Sequence, residues 1–157
     1  MIMPATIVVG VDGSNDSERT VECAARLADA MDAHLLTVFV FREAGAFTGT
    51  AGAGAILKET MNDLAIDAEV ISITHLNAGR VPWDFQTAVG DPASELLRVA
   101  REHGASMLVI GRRGQPRFAD LFGRSMSDRL VREADIPVLV VPHEHPVRRW
   151  LTGSRNS

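Results

Sequence analysis

A single cysteine, Cys23, is all the thiol chemistry in this 157-residue chain. No intrachain disulfide can form, so nothing in the sequence asks for an oxidising compartment. Among apolar neighbours a lone Cys packs as a small hydrophobe more readily than it reacts. The opening Met-Ile-Met-Pro lacks a basic stretch followed by a long apolar one, so no signal peptide is expected. No run of about 18 apolar residues occurs, so no membrane span is expected; the expected location is the cytoplasm. Positive charge is not in excess: the formal net charge is −4, which argues against nucleic acid as a partner. Neither Gly-Lys-Ser nor Gly-Lys-Thr occurs, which excludes a Walker-type phosphate loop. No Ser-His-Asp order and no metal-ligand spacing stands out. His34 falls at a strand start, His75 and His103 at helix ends, and His143 and His145 in the tail, apart from any candidate nucleophile.

What is present is an ordinary globular balance, 46% hydrophobic and 23% charged residues, in a length that suits one domain with a real core. Thr6 to Val11 (TIVVGV) and His34 to Phe41 (HLLTVFVF) are apolar almost throughout. Such runs fit strands covered on both faces, as in a parallel sheet under helices. Trp83 to Val89 (WDFQTAV) alternates, with Asp84, Gln86 and Ala88 on a wetter face, and Pro82 before it suits an edge strand. Met107 to Ile110 and Val138 to Val141 supply two more strands.

Helical spacing fills the intervals. Asn15 and Glu18 stand like a capping box before Val21, Ala24, Ala25, Ala28 and Met31. Leu57, Met61, Leu64, Ala68 and Ile71 predict a helix over about 55 to 77, with Gly79 as its stop. Asp91 fits an N-cap and Pro92 the first helical position ahead of Ala93, Leu96, Leu97 and Ala100. A last helix is expected over about 125 to 134. Residues 43 to 54, rich in Gly, Ala and Thr, read as a loop, and 143–157 as a polar, basic, disordered tail.

The order βαβαβαβαβ makes an open five-stranded parallel α/β sheet with helices on both faces. Ligands of such sheets sit beyond the carboxyl ends of the strands, where strand order reverses. Four loops end there: Asp12-Gly13-Ser14, Val40-Phe41, Gly90-Asp91-Pro92 and Gly111 to Ser125. In the last of these, Gly111-Arg112-Arg113-Gly114 leaves a strand and Gly123-Arg124-Ser125 precedes a helix. Glycines let backbone N–H groups approach a phosphate, and a Ser at a helix start adds a hydroxyl and the positive helix end. The same glycines equally serve turns alone, and Ser125 equally serves as a plain N-cap. Arg112, Arg113, Arg117, Arg124, Arg129 and Arg132 make the stretch locally basic, which suits polyphosphate or a solvated face.

VVGVDGSNDS at 8–17, GDPASELLRVAREHGASMLVIGRRG at 90–114 and SMSDRLVREADIPVLVVP at 125–142 closely resemble the universal stress protein family. The resemblance spans nearly all of 5–142 and makes 1–142 one domain. It implies a Rossmann-like sheet of the adenine nucleotide alpha hydrolase-like kind with strand order 3-2-1-4-5. It also implies a homodimer paired through the last strand, Pro137 to Val141. One branch of the family binds ATP through a pattern G-x2-G-x9-G-[ST]. Gly111 and Gly114 match it, but the third glycine position falls on Arg124, followed by Ser125. If that glycine needs a positive φ or a close backbone approach, Arg124 costs roughly 1 kcal/mol or more and fills phosphate space. Alternatively its guanidinium reaches the phosphates.

By position, the resemblance places Asp12 at the ribose or at a phosphate-bound Mg²⁺ or Mn²⁺, with Gly13 and Ser14 beside it. Val40 backbone reads the adenine edge. Gly111, Arg112 and Gly114 wrap ribose and phosphates, and Ser125, Met126 and Ser127 donate at the helix start. Three readings follow: an ATP-binding stress or signalling protein with little or no turnover; a dimeric interaction module whose pocket Arg124 has closed; and a slow ATPase with Asp12 as its only candidate acid.

Overall fold

The architecture is that of a computed structural model, and the structure describes residues 3–42, 53–112 and 126–142. The elements run β1 (Thr6–Val11), α1 (Asp16–Met31), β2 (His34–Phe41), α2 (Ala53–Leu76), β3 (Trp83–Val89), α3 (Pro92–Glu102), β4 (Met107–Gly111), α4 (Met126–Glu133) and β5 (Val138–Val141). The five strands form one parallel sheet in the order β3-β2-β1-β4-β5. Each strand read from the sequence is present at its expected bounds, except that β4 runs one residue further, to Gly111. The loop expected over 43 to 54 and the tail over 143–157 lie almost wholly outside the described residues.

The sheet is buried on both faces because its central strands are apolar almost throughout. Ile7, Val9 and Val11 of β1 pack with Val21, Ala24 and Ala28 of α1 and Ala65 and Ala68 of α2. Val8, turned the other way by the strand's two-residue period, joins Leu96, Leu97 and Ala100 of α3 and Leu130 of α4. α1 and α2 therefore cover one face and α3 and α4 the other. That is the outcome of right-handed crossovers running outward from β1 in one direction and from β4 in the other. Between β1 and β4 the strand order reverses.

Helix ends follow local chemistry. α1 stops at Asp32, in the left-handed region at φ 51°, and α3 gives way to Gly104 at φ 57°. Asp91 caps α3, accepting the Ser94 N–H at 3.0 Å, and Pro92 occupies the first turn. α2 runs through Leu76, close to the end expected for it; Gly79 N–H donates to Leu76 O just past the end.

Two expectations are corrected. Asn15 is helical (φ −58°, ψ −23°) and its side chain makes no cap bond, so the capping box with Glu18 does not form. The turn is organised instead from Asp12, as described below. In β3, Trp83 and Phe85 do pack toward α2, but Ala88 is buried while Thr87 and Val89 are exposed. α3 returns across the second face directly after the strand and encloses Ala88, so that end of β3 has its dry side on the face expected to be wet.

Candidate functional site

The sheet opens where its order reverses. The β1–β4 register runs from Ile7↔Met107 to Val9↔Val109, while β1 continues to Val11 and β4 to Gly111. Pairing thus stops two residues short of either strand's end. On its other side β1 stays paired to its last residue, Val11↔Phe39. The next residue of β2 is Val40. His34 N–H donates to Ala5 O, on the β1 side, and Leu35 N–H to Pro82 O, on the β3 side. Alternate residues of β2 therefore direct their backbone groups to opposite neighbours. Phe41 O accordingly takes Gly90 N–H on the β3 side. By the same alternation the Val40 backbone faces the β1 side, one step past the last pair, where the chain turns at Asp12.

That turn is tied tightly. One carboxylate oxygen of Asp12, Oδ1, accepts the Ser14 N–H at 3.0 Å, the Ser14 hydroxyl, and the Ser17 hydroxyl at 2.7 Å. Ser17 Oγ also accepts the Asp12 N–H at 3.0 Å. The result is an Asx-type turn in which side chain replaces the next turn of backbone. Ser17, buried in the first turn of α1, clamps Asp12 from below. Gly13 takes φ +77°, and a Cβ there would lie 2.2 Å from the Leu64 carbonyl oxygen of α2. Only glycine lets α2 pass so close under this loop.

Gly111 has a similar packing constraint. A Cβ on it would lie 2.6 Å from Thr20 Oγ1. Thr20 is buried in α1 and donates to Asp16 O at 3.1 Å. The glycine at the exit of β4 is thus required by helix–sheet packing, whatever it offers a phosphate. Arg112 follows with its side chain exposed and its backbone N–H donated to Val141 O at 2.7 Å. That N–H belongs to the β4–β5 pairing and is not one that can wrap a ligand.

Gly114, Arg124 and Ser125 lie outside the described residues. Met126 and Ser127 begin α4, both half-buried, with Met126 packed on the α3–α4 core. Farther along α4, Arg129 meets both oxygens of Asp91 from Nη1 at 2.9 Å and Glu133 at 3.5 Å. This arginine of the basic stretch therefore staples α4 to the N-cap of α3. Burial works against the Asp91 charge, but the Ser94 N–H, the Ser94 hydroxyl and Arg129 outweigh it and hold the carboxyl below the ordinary range.

The structure brings Asp12, Gly13, Ser14 and the Val40 backbone to one opening, with Gly111 on its far wall. Sequence reasoning missed Ser17 and Thr20. Ser17 is five residues from Asp12, outside any local capping pattern, and Thr20 reveals itself only through its packing on Gly111. Among the described residues no group of three or more His, Cys, Asp or Glu can hold a metal, and no helix is long and apolar enough to cross a membrane.

Comparison with known proteins adds the lineage. The family model for the universal stress protein family matches residues 3–142. A universal stress protein of Mycobacterium tuberculosis is 32% identical over 142 residues, 87% of this chain and 94% of that protein. The crystal structure of a universal stress protein in complex with cAMP is 30% identical, with a TM-score of 0.59, covering 91% of this chain and 100% of that one. The universal stress protein from Archaeoglobus fulgidus in complex with dAMP, 19% identical with a TM-score of 0.54, covers 90% of this chain and 99% of its own and shares the fold.

Proposed function

The chain belongs to the universal stress protein family, and from that premise we propose that it binds an adenine nucleotide, ATP with Mg²⁺ or Mn²⁺, in the opening between β1 and β4. The observation that carries the reading is the convergence, where the pairing of β1 with β4 stops short, of a fixed carboxylate and an outward backbone edge. The Val40 backbone offers the donor and acceptor an adenine edge needs. Asp12, held by Ser14 and Ser17, accepts from ribose hydroxyls. Gly111, Gly114, Arg124, Ser125, Met126 and Ser127 border the phosphates. A relative of this chain at 30% identity binds cAMP, which supports an adenine ligand.

With Asp12 the single carboxylate at the opening among the described residues, a divalent ion arrives with the phosphates rather than in a protein cage. The described histidines support a binding role with little or no turnover. His34 begins β2, while His75 and His103 lie at the finishing ends of α2 and α3; all three are at the opposite end of the sheet. Homodimerisation through Pro137–Val141 fits an edge strand whose Val138, Leu139 and Val140 are left half-buried. The protein is proposed to act in the cytoplasm in stress response or signalling.

Calorimetry on nucleotide-stripped protein tests the reading. The expected result is saturable ATP binding in the low-micromolar to sub-millimolar range, weakened at least tenfold by Asp12→Ala. The absence of both heat and a thermal shift at millimolar ATP sinks it. If binding then appears on Arg124→Gly, the pocket is one that Arg124 has closed, and the protein is a dimeric interaction module.

A further inference from the structure

α2 differs from the other helices in being apolar on two sides. Its inner side places Leu64, Ala65, Ala68, Ile71 and Leu76 on the core. On its outer side Ile66, Val70 and Ile73 are 60%, 52% and 42% exposed. Their spacing, i, i+4 and i+7, puts them in one stripe along the helix. A helix that is apolar all round has a second burial partner or a cost to bear.

The charges beside the stripe are equally one-sided. α2 carries four carboxylates, Glu59, Asp63, Asp67 and Glu69, against one basic residue, Lys58. None of the four has an ion pair or hydrogen bond among the described residues. On α3, on α4 and just past it the pattern is the reverse: Glu95 and Glu102 share Arg98, Glu133 meets Arg129, and Asp135 meets Arg101. Unpaired carboxylates beside an exposed β-branched stripe have their complement in a surface of opposite charge with matching apolar anchors.

We propose that the outer face of α2 docks a basic amphipathic helix of a partner protein, its apolar residues on Ile66, Val70 and Ile73 and its lysines or arginines on Asp63, Asp67 and Glu69. Helices read one another in this i, i+4, i+7 manner, and charge complementarity supplies orientation and on-rate. A second copy of this chain fits less well. A symmetric contact would set the four carboxylates against themselves. The proposal stands independently of nucleotide binding, since this face lies outside the β1–β4 opening.

The test uses the full chain and a labelled 18-residue leucine/lysine amphipathic peptide, read by fluorescence anisotropy. The expected result is saturable one-to-one binding. It weakens at least tenfold on Ile66→Ser/Ile73→Ser and on Asp63→Asn/Asp67→Asn, and salt dependence falls only in the second variant. All four side chains are exposed, so circular dichroism should show both variants folded. A leucine/glutamate peptide of the same pattern should not bind. Absence of binding to the wild type, or equal affinity for all three proteins, overturns the proposal. So does self-association in sedimentation that Ile66→Ser/Ile73→Ser abolishes, which would give the face to a second copy.

Discussion

Replacing Gly111 by alanine separates two reasons for a glycine at the end of β4. If it is there only so that a phosphate can approach, a methyl group should weaken nucleotide binding and leave stability unchanged. The structure predicts otherwise. The new Cβ would lie 2.6 Å from Thr20 Oγ1 and 3.8 Å from Thr20 Cβ. The second contact is ordinary; the first is not. Thr20 cannot swing away freely, because its branched side chain is stiff at χ1, buried, and hydrogen-bonded to Asp16 O. Overpacking of this kind costs about 1–3 kcal/mol, which lowers Tm by about 2–4 °C per kcal/mol in a chain of this size. Thr20→Ala, which removes the hydroxyl and the branched methyl together, costs about 2 kcal/mol.

The double variant Gly111→Ala/Thr20→Ala keeps only the 3.8 Å contact, so the Gly111 cost should largely vanish. The coupling expected between the two positions is about 1–2 kcal/mol, of the size seen for residues in contact. Thr20→Val keeps the branched shape and should give no relief. Urea denaturation of the four members of the cycle measures this. Additive costs, or relief by valine equal to that by alanine, would refute the packing account of Gly111.

Gly13→Ala faces both a positive φ and the Leu64 carbonyl at 2.2 Å, a backbone atom that cannot step aside; a loss of more than about 2 kcal/mol is expected in urea unfolding, with no rescue from any substitution of the Leu64 side chain. The Asp91 carboxyl is held below its ordinary range. Its contribution is therefore present above the ordinary carboxylate pKa and is lost as pH falls through the depressed one. Asp91→Asn should flatten the acid limb of the stability–pH curve below about pH 4. Asp91→Ala should cost about 1 kcal/mol at neutral pH through the lost cap. An unchanged acid limb in the asparagine variant would contradict the assignment.

The sheet was legible because parallel strands covered on both faces are written as continuous apolar runs, and TIVVGV or HLLTVFVF have no other comfortable state. Asp91-Pro92 was legible because a cap and a first-turn proline act within four residues. Asn15 failed for the converse reason. The local pattern was present, but Asp12 and Ser17 formed a tighter turn that left Asn15 already helical. β3 failed at Ala88 because which face stays dry depends on where α3 returns. At the proposed site, the meeting of the Asp12-Gly13-Ser14 and Val40-Phe41 loops was expected from topology, since all strand ends of one polarity meet. Ser17, Thr20 and the reason for Gly111 were not found, because each depends on a partner from another element. Arg129 was read as part of a basic stretch suited to polyphosphate or to a solvated face; in the fold it pairs with Asp91.

The central claim is tested most directly by a crystal structure of the protein as purified and after ATP is added. The account predicts density for an adenine nucleotide in the β1–β4 opening, with its base against the Val40 backbone, its ribose at Asp12 and its phosphates toward the start of α4. A nucleotide bound elsewhere, or an opening without density at saturating ATP, would contradict it.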